Sequence, residues 1–395
     1  MYLSRLGAIG IAVTFALAGC GGGGGSTVPA LPVAPTPSAN NGGTTQSFNP
    51  STVKITEIAV PPQAPICSGG RCESGPLNPN VIDVSSDGSV YFGAKSPYGG
   101  VPASYGLIRY AGGSFTETMP FGSASDVEVG GVDAIDAHDQ PTVIWSSAEW
   151  HLPSALPQGD NMECGGSGGT ASDCPYGGAA PGVLGSYDYS IEVATDGRVW
   201  VGGSAQPGGN ATASQAQLPN VPSVLYAFSI DFAKGPNAHI WGLLEGLASN
   251  HVPILFEFSA SGAVLNSYPL PAGSQISGDH ALIEGADGAL WFADSGKNAI
   301  GRMTAGGQLH EYPIPTANSG VMNIALASDG GMWFTEAAAN KVGRIDTTGH
   351  ISEFNVPTPN AGVQAIAAPP SPSSCNPSQI WFTESNANKI ASITY

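Results

Sequence analysis

A tryptophan-centred segment recurs in the last third of the chain, and its period constrains what the chain can fold into. Asp287-Gly-Ala-Leu-Trp-Phe-Ala-Asp294 is followed by Asn298-Ala-Ile-Gly-Arg302 and Leu309-His-Glu-Tyr-Pro-Ile-Pro315. The next copy reads Asp329-Gly-Gly-Met-Trp-Phe-Thr-Glu336, Asn340-Lys-Val-Gly-Arg-Ile345 and Ile351-Ser-Glu-Phe-Asn-Val-Pro357, and a third begins at Ile380-Trp-Phe-Thr-Glu384. Each copy is a series of short β-rich runs broken by Asp-Gly or Thr-Gly turns, the composition of an antiparallel meander. Trp291 and Trp333 lie 42 residues apart, the length of one four-stranded propeller blade. With the aromatic as a ruler, Tyr91, Trp145, Trp200, Trp241, Trp291, Trp333 and Trp381 mark seven blades. The fold class expected is therefore an all-β propeller of seven four-stranded blades. Six is the alternative count, because outer strands are not legible between Trp145 and Trp241. The last copy lacks a fourth strand, and Lys54-Ile-Thr-Glu-Ile-Ala-Val-Pro61 at the front matches the missing piece. That N-terminal strand (54–61) is expected to complete the last blade and remove the open sheet edges.

Composition agrees with many short strands: 11% of residues are charged, with 55 Gly and 33 Pro. The formal net charge of −18 repels phosphate backbones and excludes nucleic acid as a partner. Leu6 to Ala16 is an apolar run too short for a permanent membrane span. It ends in Leu17-Ala18-Gly19-Cys20, which resembles the lipobox of bacterial lipoproteins. The resemblance implies a signal peptide over 1–19, lipidation of Cys20, and export to a membrane of the cell envelope (the outer membrane in a diderm). Residues 20–50 are rich in Gly, Pro and Ser and read as a disordered tether, and 51–395 as the propeller.

Export permits disulfides. Cys67 lies close to Cys72, and Cys164 to Cys174, so each pair is expected to staple a local loop, leaving Cys375 over. Strand alternation places the Asp-Gly hairpins on one face of the disc. The Thr-Glu turns and the connections into the next blade fall on the other, upper face. The long segments 61–80, 94–105, 151–186 and 204–222 all count into upper connections. Long loops gathered on one face of a rigid ring are where binding is expected. Arg302 and Arg344, in third strands, are expected to tie blades together.

The run Trp-Phe-Thr-Glu, then Asn-Lys-Val-Gly-Arg-Ile-Asp, with Gly-x-x-x-Glu-Phe, closely resembles the streptogramin lyase (virginiamycin B lyase) family. The resemblance is strong over 280–395, present in outline over 54–121 and poor over 122–279. It implies a seven-bladed propeller that opens a cyclic depsipeptide by elimination, with a His as base and glutamate-held Mg²⁺ as the charge sink. Carried over by position, His280 would be the base, and Asp294, Glu336 and Glu384 the metal ligands. The chain departs from the family's Glu-Pro-His-Gly connection: Asp279 precedes His280, and the next two copies carry Met322 and Gln364 where His should stand. Three readings follow. One is an envelope-anchored binding module that recognises a small molecule or an envelope protein as a monomer, with no cofactor. Another is a Mg²⁺-dependent lyase using His280; a plain repeat scaffold is a third.

Overall fold

The computed structural model describes residues 48–62, 66–68, 71–73, 76–85, 87–94, 107–119, 128–136, 143–151, 161–166, 171–172, 187–193, 199–204, 227–246, 252–259, 264–278, 280–370 and 379–395. Among them, strands dominate and form six four-stranded and two two-stranded antiparallel sheets. Each of the seven ruler aromatics lies in the second strand of a different sheet, opposite Asp83, Asp136, Glu192, Ala233, Ile283, Ala325 and Ala367 of the first strands. Each sheet is named below by that aromatic.

The Trp291 sheet shows how sequence makes the unit. Its strands are Leu282–Glu284, Leu290–Asp294, Ala299–Met303 and Leu309–Pro313, paired in chain order. The first hairpin closes with Gly285 N–H donating to Ala289 O at 2.8 Å, and Gly288 takes φ +66°, the left-handed position a three-residue hairpin loop requires. Asp287 of that loop accepts Ala289 N–H and Trp291 Nε1–H and binds Arg302 at 2.6 Å. Asp329 and Arg344 repeat the arrangement at 2.5 Å, as do Asp87 and Arg109 more loosely at 3.4 Å. The repeat arginines therefore lock a hairpin to the third strand of their own sheet. Arg344 also lies 3.9 Å over the ring of Phe48, which packs beside Tyr395 at the end of the Trp381 sheet.

The Trp241 sheet inverts this pair. Asn237 stands in the loop, Glu257 occupies the arginine's position opposite Trp241, and His239 Nδ1 meets Glu257 at 2.7 Å.

Neighbouring sheets meet through the aromatics. Trp241, Trp291 and Trp333 are fully buried. Tyr268 and Tyr312 stack on Trp241 and Trp291 at 5.9 and 5.7 Å. Each tyrosine also lies against a glycine turn of the next sheet: a Cβ on Gly349 would sit 2.1 Å from the Tyr312 ring.

The last sheet combines the two ends of the described chain. Val363–Ala367, Gln379–Glu384 and Lys389–Thr394 are followed at the edge by Lys54–Ala59, which pairs residue for residue from Lys54 with Thr394 to Ala59 with Lys389. Its Trp381 packs with Ile82, Val84, Val90 and Phe92 of the Tyr91 sheet and lies 5.6 Å from Tyr110. At the end of the expected tether, Phe48 packs 6.0 Å from Trp333, and Asn49 caps a single turn over Pro50–Thr52; residues 20–47 lie outside the described residues.

The segment 151–186 is also not wholly a connection. It holds the third and fourth strands of the Trp145 sheet, Asn161–Gly166 and Ala171–Ser172. Their glycines hide the alternation that would have marked them. Cys164 is therefore in a strand, opposite Trp145 and Ser172. Cys67 stands opposite Cys72 in a two-stranded ribbon. Cys20, Cys174 and Cys375 lie outside the described residues.

Candidate functional site

His280 stands at the entry to the first strand of its sheet and is half-buried. Its backbone N–H donates to Asn323 Oδ1 at 3.1 Å, and its carbonyl accepts Ile324 N–H at 2.8 Å. The same lacing runs along the first strands. Asp231 Oδ2 accepts the amides of Ala281 and Leu282, Asn323 Nδ2 donates to Gln364 O, and Ser385 Oγ bonds to Gln364 Oε1 and to Pro79 O. The first strands of the Trp241, Trp291, Trp333, Trp381 and Tyr91 sheets are thus connected by polar side chains as well as by packing.

The three repeat acids end the second strands of three separate sheets, and all are fully buried. Asp294 turns one oxygen to loop amides, accepting Gln275 N–H and Lys297 N–H at 3.0 Å each; its other oxygen has no partner. Glu336 and Glu384 are longer by a methylene and behave differently. None of their oxygens meets a donor at ordinary hydrogen-bond geometry. Each instead faces a second carboxyl: Glu353 beside Glu336, and Glu57 of the N-terminal strand beside Glu384. Two carboxyl groups can bond only if one keeps its proton. Burial, and then the charge of Glu353, pushes Glu336 up to about 8. Burial and Glu57 push Glu384 to about 7.

The partner acids go the other way. Burial works against it, yet hydrogen bonds from Lys389 and Thr358 hold Glu57 below the usual carboxylate range, and those from Thr316 and Glu336 do the same for Glu353. The bonding is repeated. Lys389 Nζ reaches Glu57 at 2.7 Å and Thr358 Oγ1 at 2.6 Å; Lys341 Nζ reaches Thr316 Oγ1 at 2.6 Å and Glu353 at 3.5 Å. Each cluster thus brings two carboxyl groups and one lysine together.

The clusters sit beneath the connections between sheets, and a repeated asparagine fixes those connections. Asn298, Asn340 and Asn388 are left-handed, with φ of 52°, 54° and 51°. Asparagine tolerates that region through local side-chain bonds. The Oδ1 atoms of Asn298 and Asn340 accept amides of Ser319 and Ala361, in the connections to the next sheet, and their Nδ2 groups donate to Thr316 O and Thr358 O. Asn388 does the same across the chain ends, accepting Leu77 N–H and Asn78 N–H and donating to Val60 O. Sequence reasoning quoted these asparagines and Glu353 within the repeat without assigning them a role. Their signal was available: Asn298 and Asn340, like Glu311 and Glu353, keep the 42-residue spacing.

A Mg²⁺ ion shared by Asp294, Glu336 and Glu384 does not fit these residues. The three end the second strands of different sheets, and Glu336 and Glu384 each have a lysine in their cluster. Among the described residues, no three His, Cys, Asp or Glu side chains come together to hold a metal ion.

Against known proteins, residues 228–395 match the sequence model of the virginiamycin B lyase family. That part of the chain is virginiamycin B lyase-like. The match takes in the Trp241, Trp291, Trp333 and Trp381 sheets, and so reaches one sheet further towards the N-terminus than the repeat alone suggested. Among solved structures, selenomethionine-substituted virginiamycin B lyase from Staphylococcus aureus superposes with a TM-score of 0.56 at 19% identity, over 87% of this chain and 99% of that one. A catalytically inactive variant of the S. aureus enzyme with quinupristin gives 0.54 at 20%, with the same coverage. Kuenenia stuttgartiensis hydrazine synthase gives 0.55 at 10%, over 84% of this chain and 99% of that one. At such identities the likeness establishes the fold, an all-β propeller, and not an activity. No curated protein matches the chain in sequence.

Proposed function

We propose that the chain is a seven-bladed ring, closed by its N-terminal strand and held at the cell envelope by a lipid on Cys20. Its loop-rich face binds a small molecule or an envelope protein without catalysing a reaction. The ring count is supported by the seven aromatics in seven sheets. Its closure is supported by Asn388, which stitches Val60 and Leu77 as Asn298 and Asn340 stitch their own connections. The observation that carries the binding reading is the placement of the repeat acids: Glu336 and Glu384 are fully buried in separate sheets, each facing a second carboxyl, Glu353 or Glu57, with a lysine beside it. That arrangement ties Glu353 and Glu57 to the connections at Thr316 and Thr358, which supports a fastening role for the clusters. We further assign Cys67–Cys72 as a disulfide on the strength of their register, and Cys164–Cys174 as the second.

The lyase reading is the alternative, favoured by the 228–395 match, which includes His280. One experiment separates the two. The purified chain is incubated with a cyclic depsipeptide of the quinupristin type, with Mg²⁺ or with a chelator, and ring opening is followed by mass spectrometry. No opening is expected. Opening that requires Mg²⁺ and disappears in His280→Ala would replace the binding reading with the lyase.

A further inference from the structure

We propose that the Trp291 sheet holds a monovalent cation of ammonium size, such as K⁺, among Asp294, Glu311 and Ser274, where the two following sheets use a lysine. The site is confined to one sheet and is independent of what the loop-rich face binds. It is written in the register. Glu336 is paired with Lys341 and Glu384 with Lys389. The second carboxyl of each cluster, Glu353 or Glu57, stands opposite Gly343 or Ala391 of the third strand. The Trp291 sheet keeps every step of this pattern: Asp294 is paired with Ala299, and Glu311 stands opposite Gly301. The two acids are retained, and alanine, which brings no ammonium, has the lysine's place.

Three buried oxygens of this sheet and its entering loop have no hydrogen-bond partner: Asp294 Oδ2, Glu311 Oε1 and Ser274 Oγ. Asp294 is fully buried and Ser274 is 2% exposed. The loop bonds bring Ser274 to the acids. Gln275 O accepts Ser295 N–H as Gly320 O accepts Ala337 N–H, so Ser274 takes the step of Ser319, which faces Glu336. Gln275 N–H itself reaches Asp294 Oδ1 at 3.0 Å. Lys297 is the lysine closest to Asp294 in the chain, and its Nζ donates to Ala272 O at 2.6 Å. Among the described residues neither Asp294 nor Glu311 has an ion-pair partner. Buried oxygens left unpaired are costly, and two neighbouring carboxylates repel unless a cation or a proton stands between them. Carboxylate and hydroxyl oxygens suit a hard cation. K⁺ has the charge of a lysine ammonium and nearly its size, and it accepts oxygens in a flexible arrangement. Mg²⁺ demands a near-ideal octahedron and gives up its waters reluctantly, which a place shaped for an ammonium does not match.

The test is thermal unfolding of the full chain at neutral pH in KCl, in choline chloride and in MgCl₂, all at one ionic strength of about 0.15 M, so that general screening is held fixed. With a Kd about one-tenth of the K⁺ concentration, K⁺ should favour the folded state about tenfold over choline, a rise in Tm of about 2–3 °C. Ala299→Lys writes the lysine of the following sheets into the site. It should abolish the K⁺ response and unfold, in choline chloride, at or above the wild-type temperature. Glu311→Gln keeps the side chain's shape, removes one charge, and should weaken the response as well; it decides the matter if Ala299→Lys does not fold. Equal wild-type Tm in KCl and choline chloride would overturn the site, the carboxyls then sharing a proton or drawing in Lys297. A K⁺ response that survives both substitutions would overturn it too. A larger response to Mg²⁺ that vanishes in Ala299→Lys would refute the monovalent assignment.

Discussion

Glu336 makes the stability of this protein pH-dependent in a direction opposite to that of an ordinary salt-bridged acid. Its folded value of about 8 stands well above the unfolded reference of 4.5. Between those values the folded state holds a proton that the unfolded chain has released. The contribution is therefore complete below about pH 4.5, shrinks as pH rises, and is gone above about 8. At 1.36 kcal/mol per pH unit, the loss across that window is roughly 5 kcal/mol. Glu384, at about 7, adds roughly 3 kcal/mol by the same arithmetic. The assay is thermal unfolding of the full chain at pH 5.5, 7 and 8.5. One kcal/mol moves Tm by about 2 °C or less in a chain this long, so wild-type Tm should fall by several degrees over that range. Glu336→Gln supplies the test of mechanism. Its amide has the shape of the protonated acid and can donate to Glu353, but it cannot ionise. The variant should match the wild type at pH 5.5, exceed it at pH 8.5, and show a shallower slope between. A flat wild-type profile, or a variant less stable at every pH with the slope unchanged, would refute the shared-proton account. Below pH 4 the trend must reverse, because Glu57, Asp87, Asp287, Asp346 and Glu353 are all held below their ordinary values and their stabilisation is lost on protonation.

Asn388→Ala removes acceptors for two amides and a donor to Val60 O, and leaves an alanine at φ 51°. It should cost about 2–4 kcal/mol, read as a lower urea midpoint, with limited proteolysis cutting first near the N-terminal strand. In the Trp241 sheet, His239→Ala leaves the buried Glu257 without its imidazole partner and should destabilise by about 1–3 kcal/mol. The double substitution Asn237→Asp with Glu257→Arg writes the pattern of the other sheets into this one, and its Tm should lie above that of His239→Ala.

The features legible in the sequence are those that repeat. Trp291, Trp333 and the strands around them announce themselves because a hairpin loop, a buried aromatic and a paired Arg are required in every sheet, and selection by geometry keeps them in register. The Trp145 sheet was harder. Its third strand contains Cys164-Gly-Gly in place of an apolar alternation, so nothing local separates strand from connection; the neighbour supplies the pairing. The packing of Phe48 was not legible for a related reason. A single aromatic at the end of a Gly- and Pro-rich stretch has no periodicity, and its partners Trp333, Phe354 and Tyr395 are all nearly three hundred residues or more away in the chain. Glu257 shows the converse case, where a departure from the repeat is explained once His239 is seen beside it.

The acids of the Trp-Phe-Thr-Glu motif mark the limit of reading chemistry from a motif. A carboxylate at the end of a second strand is equally consistent with a metal ligand and with a structural bond, and sequence alone reports only that it is there. What separates them is two strands away in the same sheet: Glu353 and Glu57, each with a lysine and a threonine, face two of the three acids, and burial with the second carboxyl pushes both acids above the ordinary carboxylate range. Asp294 differs in being shorter and in having Ala299 where Lys341 and Lys389 stand in the following blades. The three residues share a motif position and do not share surroundings, so the motif by itself does not assign them one role.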